Sequence, residues 1–320
     1  MKKLLIIVMA LVALASCKKE EKTEERLELY TPEIEDFDYI VDRFADLQIL
    51  RYRVAGIENL SLKQQELLYY LSEAALCGRD IIYDQNGKYN IAIRTLLESV
   101  YTMEGIDTTS ADFKAMAVYL KRVWVSNGIH HHYSNAKFRP GFSQEWFIDQ
   151  LKSLPGAEPL LAALALEDND SELLRAMFDS SYMSIKVNQA DGVDLIATSA
   201  NNFYEGVTQK EVEDFYAKLK NPNDTMPVMF GLNSKLVKEN GKIVEKTWKV
   251  GGMYGETISH IVYWLEKASS VAENTEQKAS IDKLIAYYKS GDLKDFDEYS
   301  ILWVKDLNSK VDFVNGFIES

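Results

Sequence analysis

Between Val228 and Val250 the spacing of apolar residues changes from a helical period to alternation. Lys235-Leu236-Val237-Lys238-Glu239 and Lys242-Ile243-Val244-Glu245-Lys246-Thr247-Trp248 flank the pair Asn240-Gly241. Both residues of that pair tolerate the positive φ of a type I′ turn, so the segment predicts an antiparallel ribbon. Elsewhere the period is helical. Ser61 and Gln64 have the form of a capping box, after which Leu67, Leu68, Leu71, Ala74 and Ala75 recur on one face until Gly78. Asp84-Gln85-Asn86-Gly87 reads as a turn. Ile91, Leu96, Leu97 and Val100 then predict a second helix, and Ser110 opens a third through Met116, Leu120, Val123 and Trp124. Residues Asn127 to Phe142, with Gly128, Pro140 and Gly141, read as a structured loop, and helices resume at Ser143 and from about Leu160 to Phe178. From Glu256 the helical period returns through Ile258, Ile261, Val262, Leu265 and Ala268, and a further helix is expected from about Glu276 to Tyr288 before Gly291. The expected class is α+β and predominantly helical, with helical segments over residues 35–225 and 256–320 around a β-hairpin at 228–250. There is no internal repeat at a fixed period.

The amino end has a different character. Lys2 and Lys3 precede an apolar run from Leu4 to Leu14, which is short for a membrane span and closes on Ala15 and Ser16 before Cys17. Leu14-Ala15-Ser16-Cys17 resembles the bacterial lipoprotein cleavage box, in which Cys becomes the first mature residue and carries the lipid. Residues 1–16 are therefore expected to be a lipoprotein signal peptide. Residues 17–34, which include Lys18-Lys19-Glu20-Glu21-Lys22-Thr23-Glu24-Glu25, are expected to form a solvated tether from lipidated Cys17. The expected location is the cell envelope, on a membrane-anchored lipoprotein facing the periplasm or the cell exterior, with Cys17 the only membrane contact. With Cys17 lipidated, Cys77 is the one remaining thiol and no intramolecular disulfide is possible. Cys77 closes an apolar helical run and reads as a small buried hydrophobe.

The chain has 36 basic and 49 acidic residues among 320, a formal charge of -13. Backbone-driven binding to nucleic acid needs clustered Lys and Arg, so nucleic acid is excluded as a partner. A hydrophobic share of 47% disfavours a disordered chain.

Three of the four histidines are consecutive: His130, His131 and His132, between Ile129 and Tyr133. In an extended segment His130 and His132 would share one side and could hold zinc with a third ligand from elsewhere. Alternatively the run lines a cleft, or packs within its own loop. His260 lies four residues after Glu256 but lacks the second His of a His-Glu-x-x-His zinc helix. Gly251-Gly252-Met253-Tyr254-Gly255 reads as a strand-to-helix turn without the Gly-Lys-Ser/Thr ending of a phosphate loop, and no Gly-x-Ser-x-Gly elbow is present. Residue patterns alone thus assemble no complete active site.

Three segments together resemble one family. The first is Phe44-Ala45-Asp46-Leu47-Gln48-Ile49-Leu50-Arg51-Tyr52, continuing through Leu67-Leu68-Tyr69-Tyr70-Leu71 to Gly78-Arg79-Asp80-Ile81. The second is Val118-Tyr119-Leu120-Lys121-Arg122-Val123-Trp124 with Asn127-Gly128-Ile129-His130-His131-His132-Tyr133 and Phe138 to Phe142. The third runs from Gly252-Met253-Tyr254 through Tyr263-Trp264-Leu265-Glu266-Lys267-Ala268 to Leu302-Trp303-Val304-Lys305-Asp306 and Val314-Asn315-Gly316-Phe317-Ile318-Glu319-Ser320. They are similar to the dipeptidyl-peptidase III metallopeptidases, in particular their exported bacterial branch.

The resemblance implies a two-lobed zinc exopeptidase that removes dipeptides from the free amino end of short peptides. In that family zinc is held by a His-Glu-x-x-Gly-His helix and a later Glu, in an upper lobe. Zinc lowers the pKa of its bound water and polarises the scissile carbonyl. None of those zinc-site residues occurs in this sequence. Residues 35–320 are expected to be a lower-lobe portion, with a small β-barrel core wrapped by helices, and the zinc lobe is expected to be a missing carboxy-terminal partner. By position, the resemblance makes Glu319 the carboxylate that receives the substrate's terminal ammonium, within the segment that begins at Gly316. No catalytic residue and no metal ligand is assigned within these 320 residues. The competing expectation is a catalytically inactive, lipid-anchored module that binds peptides with free amino ends.

Overall fold

The computed structural model describes residues 37–166 and 171–316. The expected signal peptide, Cys17 with its tether, and Glu319 lie outside these residues. The described residues divide into two units, residues 37–42 with 48–58 and residues 43–47 with 59–316.

Strands β1 (Ile40–Phe44) and β2 (Leu47–Leu50) form a hairpin where residues 35–225 were expected to be helical. The reason lies in its burial, which alternates residue by residue along both strands, a period of two that a helix cannot satisfy. Ala45, at φ 49°, sits in the turn between them. In the first unit, Arg51 stacks 4.8 Å from the Phe37 ring centroid and donates from Nε to the Asp38 carbonyl at 2.6 Å.

The second unit carries two helical cores. Helices α1 (Leu62–Cys77), α2 (Arg79–Asn86), α3 (Asn90–Tyr101), α4 (Ala111–Ser126), α5 (Gln144–Ser153), α6 (Glu158–Ala163) and α7 (Glu172–Phe178) come first in the chain. Ile93, Leu96 and Leu97 of α3, Met116, Leu120 and Val123 of α4, Phe147 of α5 and Leu174 of α7 gather into the first core. The capping box expected at Ser61 is present, with the Gln64 amide donating to the serine hydroxyl and the Gln64 side chain accepting from the Ser61 amide. Ser110 and Ser143 cap α4 and α5 through the serine hydroxyl, which accepts from the Phe113 and Trp146 amides. Asp84-Gln85-Asn86, read as a turn, is instead the last turn of α2, because Ile81 and Tyr83 on that helix are both buried in cores; only Gly87 ends it.

Strands β3 (Tyr204–Glu205), β4 (Ser234–Glu239) and β5 (Lys242–Thr247) form a sheet in that order, β3 parallel and β5 antiparallel to β4. Asn240 at φ 50° and Gly241 at φ 76° make the turn, and Glu239 faces Lys242 across it. Leu236 of β4 is buried against Val207 and Val212 of helix α8 (Gln209–Ala217) and the loop before it. Helices α9 (Gly255–Ser270), α10 (Thr275–Ser290) and α11 (Leu293–Lys305) follow. Trp248, Ile258, Val262, Leu265, Ile281 and Leu284 form the second core with Leu67 and Ala74 of α1. The observed fold is α+β and mostly helical. Among the described residues no helix is long and apolar enough to cross a membrane.

Candidate functional site

The segment after α11 ends, in the described residues, at the Val314-Asn315-Gly316 stretch of the resemblance. Its path is held by side chains from three helices and the turns between them. Glu273 Oε1, in the turn before α10, accepts from the backbone amides of Lys310 (3.0 Å) and Val311 (2.7 Å), while its Oε2 accepts from Gln64 Nε2 of α1 at 2.6 Å. Gln277 Nε2 donates to the Val311 carbonyl at 2.7 Å, and Trp303 Nε1 donates to Asp312 Oδ1 at 2.8 Å. The Tyr288 hydroxyl donates to Asn315 Oδ1 at 2.5 Å. Burial pushes the Tyr288 pKa up, so the hydroxyl stays protonated and fit to donate. The buried Gln277 amide and Tyr288 hydroxyl are thus each paired with the segment they position.

Beside this segment is a cavity of about 390 Å³. Leu71, Ala74 and Ala75 of α1, Ile261 and Leu265 of α9 and Leu284 of α10 give it apolar walls, and Phe313 to Gly316 form another side. Gly316 is exposed at this cavity. The small side chains of Ala74 and Ala75 leave the space, which a larger residue at either position would fill. An apolar pocket edged by a few backbone polar groups is the usual form of a small-ligand site.

The histidine run is held elsewhere, and none of its three residues lines this cavity. Gly128 sits at φ 148°, and a Cβ there would lie 2.3 Å from Asn90 Nδ2, so the backbone approach requires glycine. Asn90 in turn donates to the Tyr83 carbonyl at 3.1 Å and accepts from the Ile129 amide at 3.3 Å, fixing the start of the loop. His130 is buried, and its Nε2–H donates to the Met183 carbonyl at 2.7 Å. Burial presses its pKa down to about 4, and its Nδ1 has no partner. His131 Nδ1 accepts from the Tyr133 and Ser134 amides, whereas His132 Nδ1 pairs with Ser126 Oγ at 3.2 Å. The rings of His131 and His132 stack with centroids 4.7 Å apart. Each imidazole therefore has its own local partner, and the paired arrangement of His130 with His132 is not seen. Among the described residues no three His, Cys, Asp or Glu side chains gather closely enough to hold a metal ion. The described residues therefore do not form a set that fits zinc. His260 is exposed on α9. Cys77 is half-buried, and burial, with Glu73 nearby, raises its thiol pKa, which makes it a poor nucleophile.

Sequence patterns missed a polar network behind the strand-to-helix turn. Lys235 Nζ donates to Asn202 Oδ1 and Glu205 Oε2, both at 2.7 Å, and Asn202 Nδ2 and the Tyr254 hydroxyl both donate to Asp84 Oδ2, at 3.2 and 2.5 Å. Lys235 holds the Glu205 carboxyl below its ordinary range, and burial raises the Tyr254 pKa. The one available signal was a lysine in the first half of β4, where every residue from Ser234 to Val237 is buried. The Gly251–Gly255 turn places Tyr254 at φ 59° for this bond.

Residues 198–320 match the family model of peptidase family M49. Among solved structures, DPP III from Caldithrix abyssi is similar with 14% identity and a TM-score of 0.48, over 79% of this chain and 35% of that one. Dipeptidyl-peptidase III from Corallococcus sp. strain EGB is similar with 15% identity and a TM-score of 0.46, over 79% of this chain and 34% of that one. The chain thus spans about a third of the length of those two structures. No curated protein matches the chain. Residues 198–320 are thus similar to peptidase family M49, in keeping with the resemblance that the motifs carry.

Proposed function

We propose that these 320 residues supply the peptide-holding portion of a zinc-dependent exopeptidase that releases dipeptides from the amino end of short peptides. The observation that carries the reading is the peptidase family match over residues 198–320, which includes the Gly316–Glu319 segment. In this reading the segment tied down by Glu273, Gln277 and Tyr288 presents Asn315 and Gly316 to the peptide backbone, and Glu319 receives the terminal ammonium through a charge-assisted hydrogen bond. A carboxylate fixed at one end of a cleft selects free amines and sets the distance to the cleaved bond, since a misplaced scissile carbonyl loses the advantage of orientation. The apolar cavity beside Gly316 suits the side chain of an amino-terminal residue. Zinc and its activated water belong to polypeptide other than these residues.

We further propose lipid anchoring through Cys17 in the cell envelope, a reading supported by the Lys2-Lys3 start, the Leu4–Leu14 run and the Leu14-Ala15-Ser16-Cys17 box.

The test uses the native protein isolated from its own cells and, separately, residues 17–320. The native protein is expected to release dipeptides from tetrapeptides with free amino ends, to lose this activity to a chelator and to regain it with zinc. Residues 17–320 alone are expected to release none. Hydrolysis by residues 17–320 alone, or none by the native protein, overturns the proposal.

A further inference from the structure

On the other side of the α1–α2 junction lies a second cavity, of about 500 Å³, whose lining is charged and aromatic. Gly78 borders the apolar cavity and Arg79 borders this one. Its ionic residues are Arg79 and Asp80 at the start of α2 and Arg94 and Glu98 on α3, with Trp124 of α4 completing the wall. They come from two of the segments that carry the family resemblance and from the helix between, yet the peptide-holding role described above uses none of them.

Arg94 is held by its neighbours, although its buried Nε has no hydrogen-bond partner. Its guanidinium lies 4.5 Å from the Tyr83 ring centroid, bonds Asp80 Oδ1 at 2.8 Å and stands 3.8 Å from Glu98 Oε1. Glu98 Oε1 also accepts from the Trp124 indole N–H at 2.8 Å. These bonds leave the second oxygens of Asp80 and Glu98 open as acceptors, on carboxylates that are 55% and 40% exposed. Arg79 is exposed and forms neither an ion pair nor a side-chain hydrogen bond among the described residues. The cavity therefore offers one free cation, two half-used carboxylates fixed by Arg94, and a partly open indole face. A simple anion meets the carboxylates and a simple cation meets Arg79. A molecule carrying both charges satisfies both sets, its carboxylate on the Arg79 guanidinium and its ammonium between Asp80 and Glu98 beside Trp124.

We propose that this cavity binds a small zwitterion, a free α-amino acid or short peptide with both ends unblocked. The site is separate from the Gly316 segment and does not depend on the exopeptidase reading. Trp124 supplies the reporter, because an ammonium that draws on Glu98 alters the hydrogen bond of the indole N–H. The probe is L-alanyl-L-alanine titrated into residues 17–320, with the indole N–H signal of Trp124 assigned from the Trp124→Phe variant. The signal is expected to shift and saturate. Acetylating the amine or amidating the carboxyl should each weaken binding at least ten-fold, and Arg79→Gln should weaken binding of the free dipeptide while leaving that of the amidated one unchanged. No saturable shift at tens of millimolar dipeptide, or equal binding of the blocked forms, overturns the proposal. Because Arg79 is exposed and unpaired, its substitution leaves the fold intact, and the blocked peptides test the same claim without any mutation.

Discussion

The core built on α3, α4, α5 and α7 is drawn from one stretch between Tyr83 and Met177, whereas the core built on α9, α10 and α11 borrows Leu67 and Ala74 from α1, far away in the chain. The first closes mainly short loops; the second must join residues about 200 positions apart, a more costly closure that only the assembled helices repay. That second core also anchors the segment ending at Gly316, through Glu273, Gln277 and Tyr288. The lesson is that the region with the candidate site depends on non-local packing, and the local core serves to hold the histidine loop.

Truncating one fully buried leucine in each core separates the two most strongly. Leu67→Ala and Leu120→Ala should each cost about 2–5 kcal/mol by transfer and cavity terms. Only Leu67→Ala is expected to speed hydrogen exchange of the Lys310 and Val311 amides, through sub-global opening of the second core. Equal loosening of those amides by Leu120→Ala would mean that the cores open as one.

A smaller change tests the anchor itself. Glu273→Ala leaves the Lys310 and Val311 amides without their acceptor, at about 1–3 kcal/mol, and Glu273→Gln should recover much of this by keeping an oxygen in place. Urea midpoints of the two variants, with exchange at those two amides, check the outcome.

In the local region, Gly128→Ala meets both a positive φ and the Asn90 side chain, while Gly156→Ala, at φ 72°, meets nothing within 4 Å. The first should be the more destabilising by thermal melts, the second costing only the roughly 1 kcal/mol of a left-handed backbone.

The gentlest probe is pH. His130 is held neutral in the fold at a pKa near 4, mainly by burial, against an ordinary value of 6.5. The unfolded chain therefore takes up that proton first, and the stability tied to neutral His130 is present above pH 6.5 and lost as pH falls toward 4. Denaturation at stepped pH should show this slope, flattened in His130→Gln.

Most of the fold was readable where a local pattern carried it. The Asn240-Gly241 turn, the Ser61 capping box and the periodic faces of α4 and α9 each rest on neighbours within one element. The β1–β2 hairpin went unread because each strand is only four or five residues long, too short to stand out from a helical period. At the site, the sequence pointed to Gly316 through resemblance alone. The clamp by Glu273 and Gln277 was invisible because each hydrogen bond spans more than 30 residues and joins a side chain to a backbone group. The histidine run drew attention by composition, but burial and separate partners set its three imidazoles apart. The Arg79–Trp124 cavity escaped because its members have ordinary spacing and meet only when α2, α3 and α4 pack.

The central claim, that the segment at Gly316 holds peptides by their free amino end, is tested most directly by peptide-induced protection of amides 313–316 in residues 17–320. Tetra-alanine is expected to slow exchange at those amides, its N-acetylated form to leave them unchanged, and Glu319→Gln to abolish the difference. Equal protection by the two peptides, or none by either, would contradict the account.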